Sequence, residues 1–135
     1  MGLQLLKSVT GRTLIESHRG VVGDVPENSW AAIKLGHQLG ADLIEVDVQM
    51  SSDGVPFIRH NYQLPDGQWC NKLPWDVLKN ITIDNEPLPR LDDVLVWAHE
   101  NDILLSLDIK TSFKAENSLS QKVIKTLEKT NSKDI

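Results

Sequence analysis

Cysteine is almost missing from this 135-residue chain: Cys70 stands alone, which excludes an internal disulfide and gives no support for an oxidising compartment. Long apolar runs are missing too. No stretch approaches the roughly 20 residues that span a bilayer. The opening segment, Met1 to Val9, is broken by Lys7 and has no small-residue cleavage pattern. Gly2 follows Met1, but Leu6 stands where a myristoylation signal wants Ser or Thr. Positive charge is in deficit. Lys and Arg number 14 against 19 Asp and Glu, a net charge of -5, and the basic residues are scattered, which argues against nucleic acid as a partner. There is no internal repeat or low-complexity tract. The expectation is a cytoplasmic protein of one domain, residues 1–135, without a transmembrane segment, to which a small molecule can still bind locally.

With 40% hydrophobic and 24% charged residues the profile is that of an ordinary globular domain. Thr13 to His18 reads as a first strand and Ser29 to Leu39 as a helix, with Asn28 or Ser29 as its cap and Gly40 as its left-handed stop. Asp42 to Met50 reads as a second strand. Ser51-Ser52-Asp53-Gly54 is a turn signal, and Val55 to His60 resumes a strand too soon for a parallel crossover, so it returns antiparallel as a hairpin. Residues 61–90 read as a loop with one short helix near Trp75 to Lys79. Leu91, Val94, Leu95 and Ala98 mark a second main helix, with Asp92 and Asp93 in its first turn. Ile103 to Ile109 is a third main strand, and Ala115 to Lys129 a further helix with Leu119, Val123, Ile124 and Leu127 as its apolar stripe. Alternating strands and helices predict an α/β architecture with a parallel sheet.

Inside the second strand, Glu45 and Asp47 lie two residues apart, so the period-two pleat puts both on one face and branched aliphatics on the other. Two like charges on a buried face repel and lose hydration, and a hard divalent cation with oxygen ligands resolves both costs. The other reading is a solvated face of an edge strand. His37 and His99 fall on helices and are expected to face solvent. Trp30, Trp75 and Trp97 are expected to pack, and Trp69 to line the mouth of a site.

His18-Arg19-Gly20, Pro26-Glu27-Asn28, Gly40-Ala41-Asp42 running into Glu45-Val46-Asp47-Val48-Gln49, then Asp53-Gly54-Val55-Pro56 and His60, stand in an order and spacing that resemble the glycerophosphodiester phosphodiesterase family. Pro87-Leu88-Pro89-Arg90-Leu91 and Leu105-Ser106-Leu107-Asp108-Ile109-Lys110 resemble its next two blocks. The resemblance covers residues 13–112. It implies a (β/α)8 TIM-type barrel, of which this chain would hold the N-terminal portion: three β/α units with a β-hairpin insertion. A full barrel takes about 250 residues, so the barrel is not complete in this chain, and its open strand edge makes self-association into a homo-oligomer an expectation.

The resemblance also implies a chemistry. Glu45 and Asp47 match metal ligands, and Asp108 stands where the family usually has a glutamate as the third. Aspartate is one methylene shorter, a departure that Mg²⁺ tolerates less than Ca²⁺, the two metals the pattern admits. His18 and His60 match an acid and base pair. Arg19 and Lys110 would clamp phosphoryl oxygens, and Glu27 and Asn28 would organise the metal or bind substrate. Asp108 and Lys110 also read as a salt-bridged strand end. Asn61 takes the place of an aspartate common in the family. The implied activity is metal-dependent hydrolysis of glycerophosphodiesters to glycerol 3-phosphate and an alcohol. The alternative is a truncated, non-catalytic fragment that binds phosphate or itself.

Overall fold

The structure, a computed structural model, describes residues 11–110 and 116–131. In chain order its elements are β1 (Glu16–Ser17), α1 (Trp30–Gln38), β2 (Leu43–Met50), β3 (Pro56–Ile58), a 3₁₀ turn (Cys70–Lys72), α2 (Trp75–Leu78), β4 (Thr82–Ile83), β5 (Glu86–Pro87), α3 (Leu91–Glu100), β6 (Leu104–Ile109) and α4 (Glu116–Lys129). Met1 to Val9 and Ala115, the predicted start of the last helix, lie outside the described residues.

Strand β2 organises the sheet. It pairs in parallel with β1 (Ser17 opposite Ile44) and along its other edge with β6 (Asp47 opposite Asp108), and antiparallel with β3 (Val48 opposite Ile58). The period-two reading holds in full: Ile44, Val46 and Val48 enter the core, while Leu43, Glu45 and Asp47 face the other way. Onto the apolar face pack Ile33 of α1, Leu91, Val94, Leu95 and Ala98 of α3, and Leu119 and Val123 of α4. Each such aliphatic side chain contributes about 1.5–3 kcal/mol by leaving water. This layer fixes which way the acidic face points.

Helix α1 starts and stops as its sequence specifies. Ser29 Oγ accepts from Ala32 N at 3.0 Å, and Gly40, at φ +86, turns the chain out after the last turn. Strand β1 is shorter than the predicted Thr13–His18. Its ladder ends where Arg19 and Gly20 both take positive φ, +54 and +78, and that turn aims the chain across the end of β2. Strand β3 is also shorter than predicted: it ends at Ile58, whose N–H donates to Pro89 O at 2.8 Å, while Arg59 N makes one more bond to Asp47 O at 2.9 Å. The hairpin and the short helix at Trp75 stand as expected.

The segment 61–90 holds more order than its composition suggests. Phe57, Leu64, Cys70, Leu78 and Leu88 form a second small core, and Trp75 packs on Phe57 with ring centroids 6.0 Å apart. Strands β4 and β5 make a two-residue hairpin whose Asp84 and Asn85 both have positive φ, +49 and +66, the conformation a tight turn of matching twist requires. Two expectations need correcting. Ile124 is 55% exposed, since the stripe of α4 runs through Leu119, Val123 and Leu127 at four-residue steps and Ile124 falls a third of a turn aside. His37 does not face solvent freely: its ring meets Trp97 edge-on, 5.7 Å between centroids, beside the Trp30–Trp97 contact.

Candidate active site

The acidic face of β2 and β6 carries the site. Glu45, Asp47 and Asp108 each bring a carboxylate oxygen into one cluster whose members lie within 4.8 Å of one another. Asp47 is the centre, 1% exposed at its side chain. Lys110 Nζ meets its Oδ1 at 2.9 Å, and Asn28 Nδ2 donates to its Oδ2 at 2.8 Å. His60 Nδ1 lies 3.1 Å and Arg19 Nε 3.3 Å from that same oxygen. Lys110 also meets Asp108 Oδ2 at 2.5 Å, so the predicted salt-bridged strand end exists as part of the cluster.

The loops that carry these groups are built for it. Arg19 N donates to Glu45 Oε2 at 2.8 Å, which only the left-handed turn at 19–20 allows. At Gly20 a Cβ would come within 2.5 Å of the Ala32 backbone, so no other residue fits against α1. Asn28, also at positive φ, accepts from Asp47 N on its Oδ1 at 3.0 Å while its own backbone N–H donates to Arg19 O at 2.9 Å. One buried amide thus ties the loop after β1 to the acidic strand β2. Glu27 is met by Arg19 Nη1 at 2.9 Å.

Electrostatics separate the carboxyls. Burial pushes Glu45 up, and the charges of Asp47 and Asp108 add to that against the Arg19 N–H. Burial acts the same way on Asp47, but the hydrogen bonds from Lys110 and Asn28 and the charges of Lys110 and His60 outweigh it, so its carboxyl sits below the usual range. The Asp108 and Asp47 carboxylates hold Lys110 well charged. Burial first, and the neighbouring carboxylates second, thus set Glu45 apart from Asp47.

The predicted site residues come together. His18 Nε2 approaches Glu45 Oε2 at 4.0 Å with the ring 68% exposed, and His60 borders Asp47, so both imidazoles edge the same acidic cluster. With its Nδ1 turned to an acceptor-only carboxylate, His60 leaves Nε2 for the cleft. A cleft of about 670 Å³ opens beside it, with Asn28, His60 and Lys110 at one end. Trp69 lines this cleft as expected, and Asn61 lies on its wall.

Gln49 is the residue that sequence reasoning left without a role. Its buried amide donates to three successive carbonyls, Arg59 at 2.8 Å, His60 at 3.1 Å and Asn61 at 2.9 Å, and so sets the backbone that carries His60. A glutamine on a strand between buried apolar residues was the available signal, because a buried amide demands partners.

The chain belongs to the glycerophosphoryl diester phosphodiesterase family, whose sequence pattern matches residues 18–134. It is 30% identical over 132 residues to the glycerophosphodiester phosphodiesterase of Caldanaerobacter subterraneus, covering 89% of this chain and 54% of that protein. To glycerophosphodiester phosphodiesterase 1 of Mus musculus it is 42% identical, over 80% of this chain and 37% of that one. An Oleispira antarctica phosphodiesterase solved in complex with the product sn-glycerol-3-phosphate superposes with a TM-score of 0.84 at 26% identity, over 95% of this chain and 57% of that one. The chain spans about half the length of the curated relatives it matches. The fold is therefore that of a partial (β/α)8 barrel, α/β with a mixed sheet.

Proposed function

We propose that this chain carries the catalytic face of a metal-dependent phosphodiesterase that hydrolyses glycerophosphodiesters to glycerol 3-phosphate and an alcohol. The observation that carries the reading is the cluster of three carboxylates on adjacent strands with an imidazole at each side. Oxygens around one hard cation with bonds of roughly 2.0–2.6 Å lie within about 5 Å of each other, and Glu45, Asp47 and Asp108 meet that demand. Three carboxylates drawn this close together fit a divalent ion as well. When bound there, Mg²⁺ or Ca²⁺ would neutralise charge developing on a phosphoryl oxygen.

The residues of the chain supply the rest. Lys110 and Arg19, held on Asp47, would take the phosphoryl oxygens, with Glu27 fixing Arg19 and Asn28 fixing Asp47. His18 and His60 would share proton transfer: one imidazole takes the proton of the attacking hydroxyl, from water or the neighbouring glycerol oxygen. The other gives a proton to the alkoxide as its P–O bond breaks. We place the reaction in the cytoplasm, a reading supported by the lone cysteine. Among the described residues no helix is long and apolar enough to cross a membrane.

The test is alcohol release from glycerophosphocholine with added Mg²⁺ or Ca²⁺. We expect metal-dependent turnover that falls at least a hundredfold in His18→Ala and in His60→Ala, the scale of a lost acid or base. Folded protein with no turnover above the His18→Ala background would sink it. A second reading, a non-catalytic phosphate-binding or self-associating fragment, draws on one observation: among the described residues β6 pairs with β2 alone and leaves an open edge. Light scattering with a metal-dependent melting shift separates the two. A chain that ignores metal favours the second, and its self-association would place the open edge in use.

A further inference from the structure

We propose that a basic pocket beside α4 is a second anion site, suited to a phosphoryl group and separate from the cleft that holds the acidic cluster. The pocket, of about 200 Å³, lies between the β2–β3 turn, the start of α3 and the later turns of α4. It shares no lining residue with the cleft of His60 and Lys110. Lys122, Lys125 and Lys129 line it from α4, and their steps of three and four residues put them on one stripe of the helix, with successive Cβ atoms about 5–6 Å apart. Arg90, the residue before α3, adds a fourth cation.

Charge balance carries the inference. In a chain of net charge -5, four cations meet here against one carboxylate, and that carboxylate, Asp92, is already 2.8 Å from Arg90 Nε. The lysines are left over. All three are exposed, and none makes an ion pair among the described residues, whereas Lys79 and Lys110 each meet an aspartate. Like charges at this helical spacing repel and weaken the helix that holds them, so a merely solvated stripe would be better served by alternating signs. Nearby acids do not intervene: Asp53 is turned to Ser51 and Trp75, and neither it nor Glu128 lines the pocket. Gly54 brings the turn close. It sits at φ +84, and a Cβ there would stand 3.3 Å from Lys122 Cε and 3.5 Å from its Nζ, so bare backbone lets this ammonium lie against the turn. Thr126 Oγ1 donates to Lys122 O at 2.8 Å, which leaves recognition to the ammonium groups. Such compact point charges suit a phosphoryl group, which brings up to two negative charges where a carboxylate brings one. The volume is below the roughly 300–1,000 Å³ of sites for larger ligands, so a phosphoryl group fits and a whole nucleotide does not.

The experiment reads the pocket directly and needs no turnover. Inorganic phosphate is titrated into the whole chain at constant ionic strength while backbone amide signals are followed by NMR. We expect a saturable shift at Gly54, Val55 and Thr126, resolved from any at His60 or Lys110 in the cleft. Lys122→Gln and Lys125→Gln should each weaken that response about two- to fivefold, the scale of one exposed charge pair. Lys122→Arg should keep it, and Lys34→Gln, which removes the same charge from α1, should leave it unchanged. Melting curves check that each variant is folded, with Lys129→Gln in reserve for one that is not. Sedimentation with phosphatidylcholine vesicles, with and without phosphatidic acid, locates the source. Binding to the phosphatidic acid vesicles that Lys122→Gln and Lys125→Gln weaken marks a lipid phosphate, and a saturable phosphate response without vesicle binding marks a free one. The same shifts with chloride alone, a loss in Lys34→Gln equal to that in Lys122→Gln, or no lysine-dependent binding of either phosphate source overturns the proposal.

Discussion

Gln49 shows how one buried side chain can decide the placement of another, here the His60 proposed to move a proton, without touching it. Its amide meets three carbonyls around His60. Gln49→Leu keeps the volume roughly and leaves those carbonyls unsatisfied, a cost of about 1–3 kcal/mol. We expect the variant to fold, to melt lower, and to lose much more in kcat than in KM, because His60 drifts from Asp47 while Lys110 still holds phosphate. Steady-state kinetics beside chemical denaturation checks this; a fall in KM alone would contradict it. The paired carboxylates were legible in the sequence because a period of two makes Glu45 and Asp47 share a face. Gln49 was not, because its partners are backbone atoms a dozen residues away that no side-chain pattern announces. The edge contact of His37 with Trp97 escaped for the same reason: its partner lies on another helix.

The hairpin and the helices obey their own rules. Asp53 in the β2–β3 turn accepts from Ser51 Oγ at 2.6 Å and from Trp75 N at 2.9 Å, joining the turn to the start of α2. The Ser51 hydroxyl first, then the Trp75 N–H, hold the Asp53 carboxyl below its usual range. A carboxyl lowered by folding contributes stability that is present above its unfolded value of about 3.9 and is lost as pH falls through the folded value. Urea midpoints of the natural chain should therefore drop faster than those of Asp53→Asn as pH falls from about 5 toward 3. Parallel curves would refute the link. On α4, Leu119→Ala should cost about 2–4 kcal/mol by opening the core, whereas Ile124→Ser should be near neutral, a contrast read from melting curves. Helix α1 could be bounded from Ser29 and Gly40 alone, since caps are local chemistry. The β4–β5 ribbon could not be read before the structure because its two-residue strands carry no periodicity, and only Asp84-Asn85 hints at the turn.

Taken together, the described residues place three parallel strands side by side with helices on one face and acids on the other. That layering followed from alternation of strand and helix patterns. The open edge of β6 followed from length, since three units cannot close a ring of eight. Bridging three mutually repelling carboxylates should stabilise the fold: at a hundredfold excess over its dissociation constant a metal adds about 2.7 kcal/mol. We expect the melting temperature to rise by several degrees with Mg²⁺ or Ca²⁺, to fall back with EDTA, and to rise much less in Asp47→Asn, as differential scanning fluorimetry would show. The ammonium of Lys110, wedged between Asp47 and Asp108, gives this behaviour its particular character. The protein carries a tethered cation beside the seat of the proposed ion, so chelation should leave a ready-shaped seat instead of a collapsed one, and loading should proceed as an exchange of cations on a standing frame.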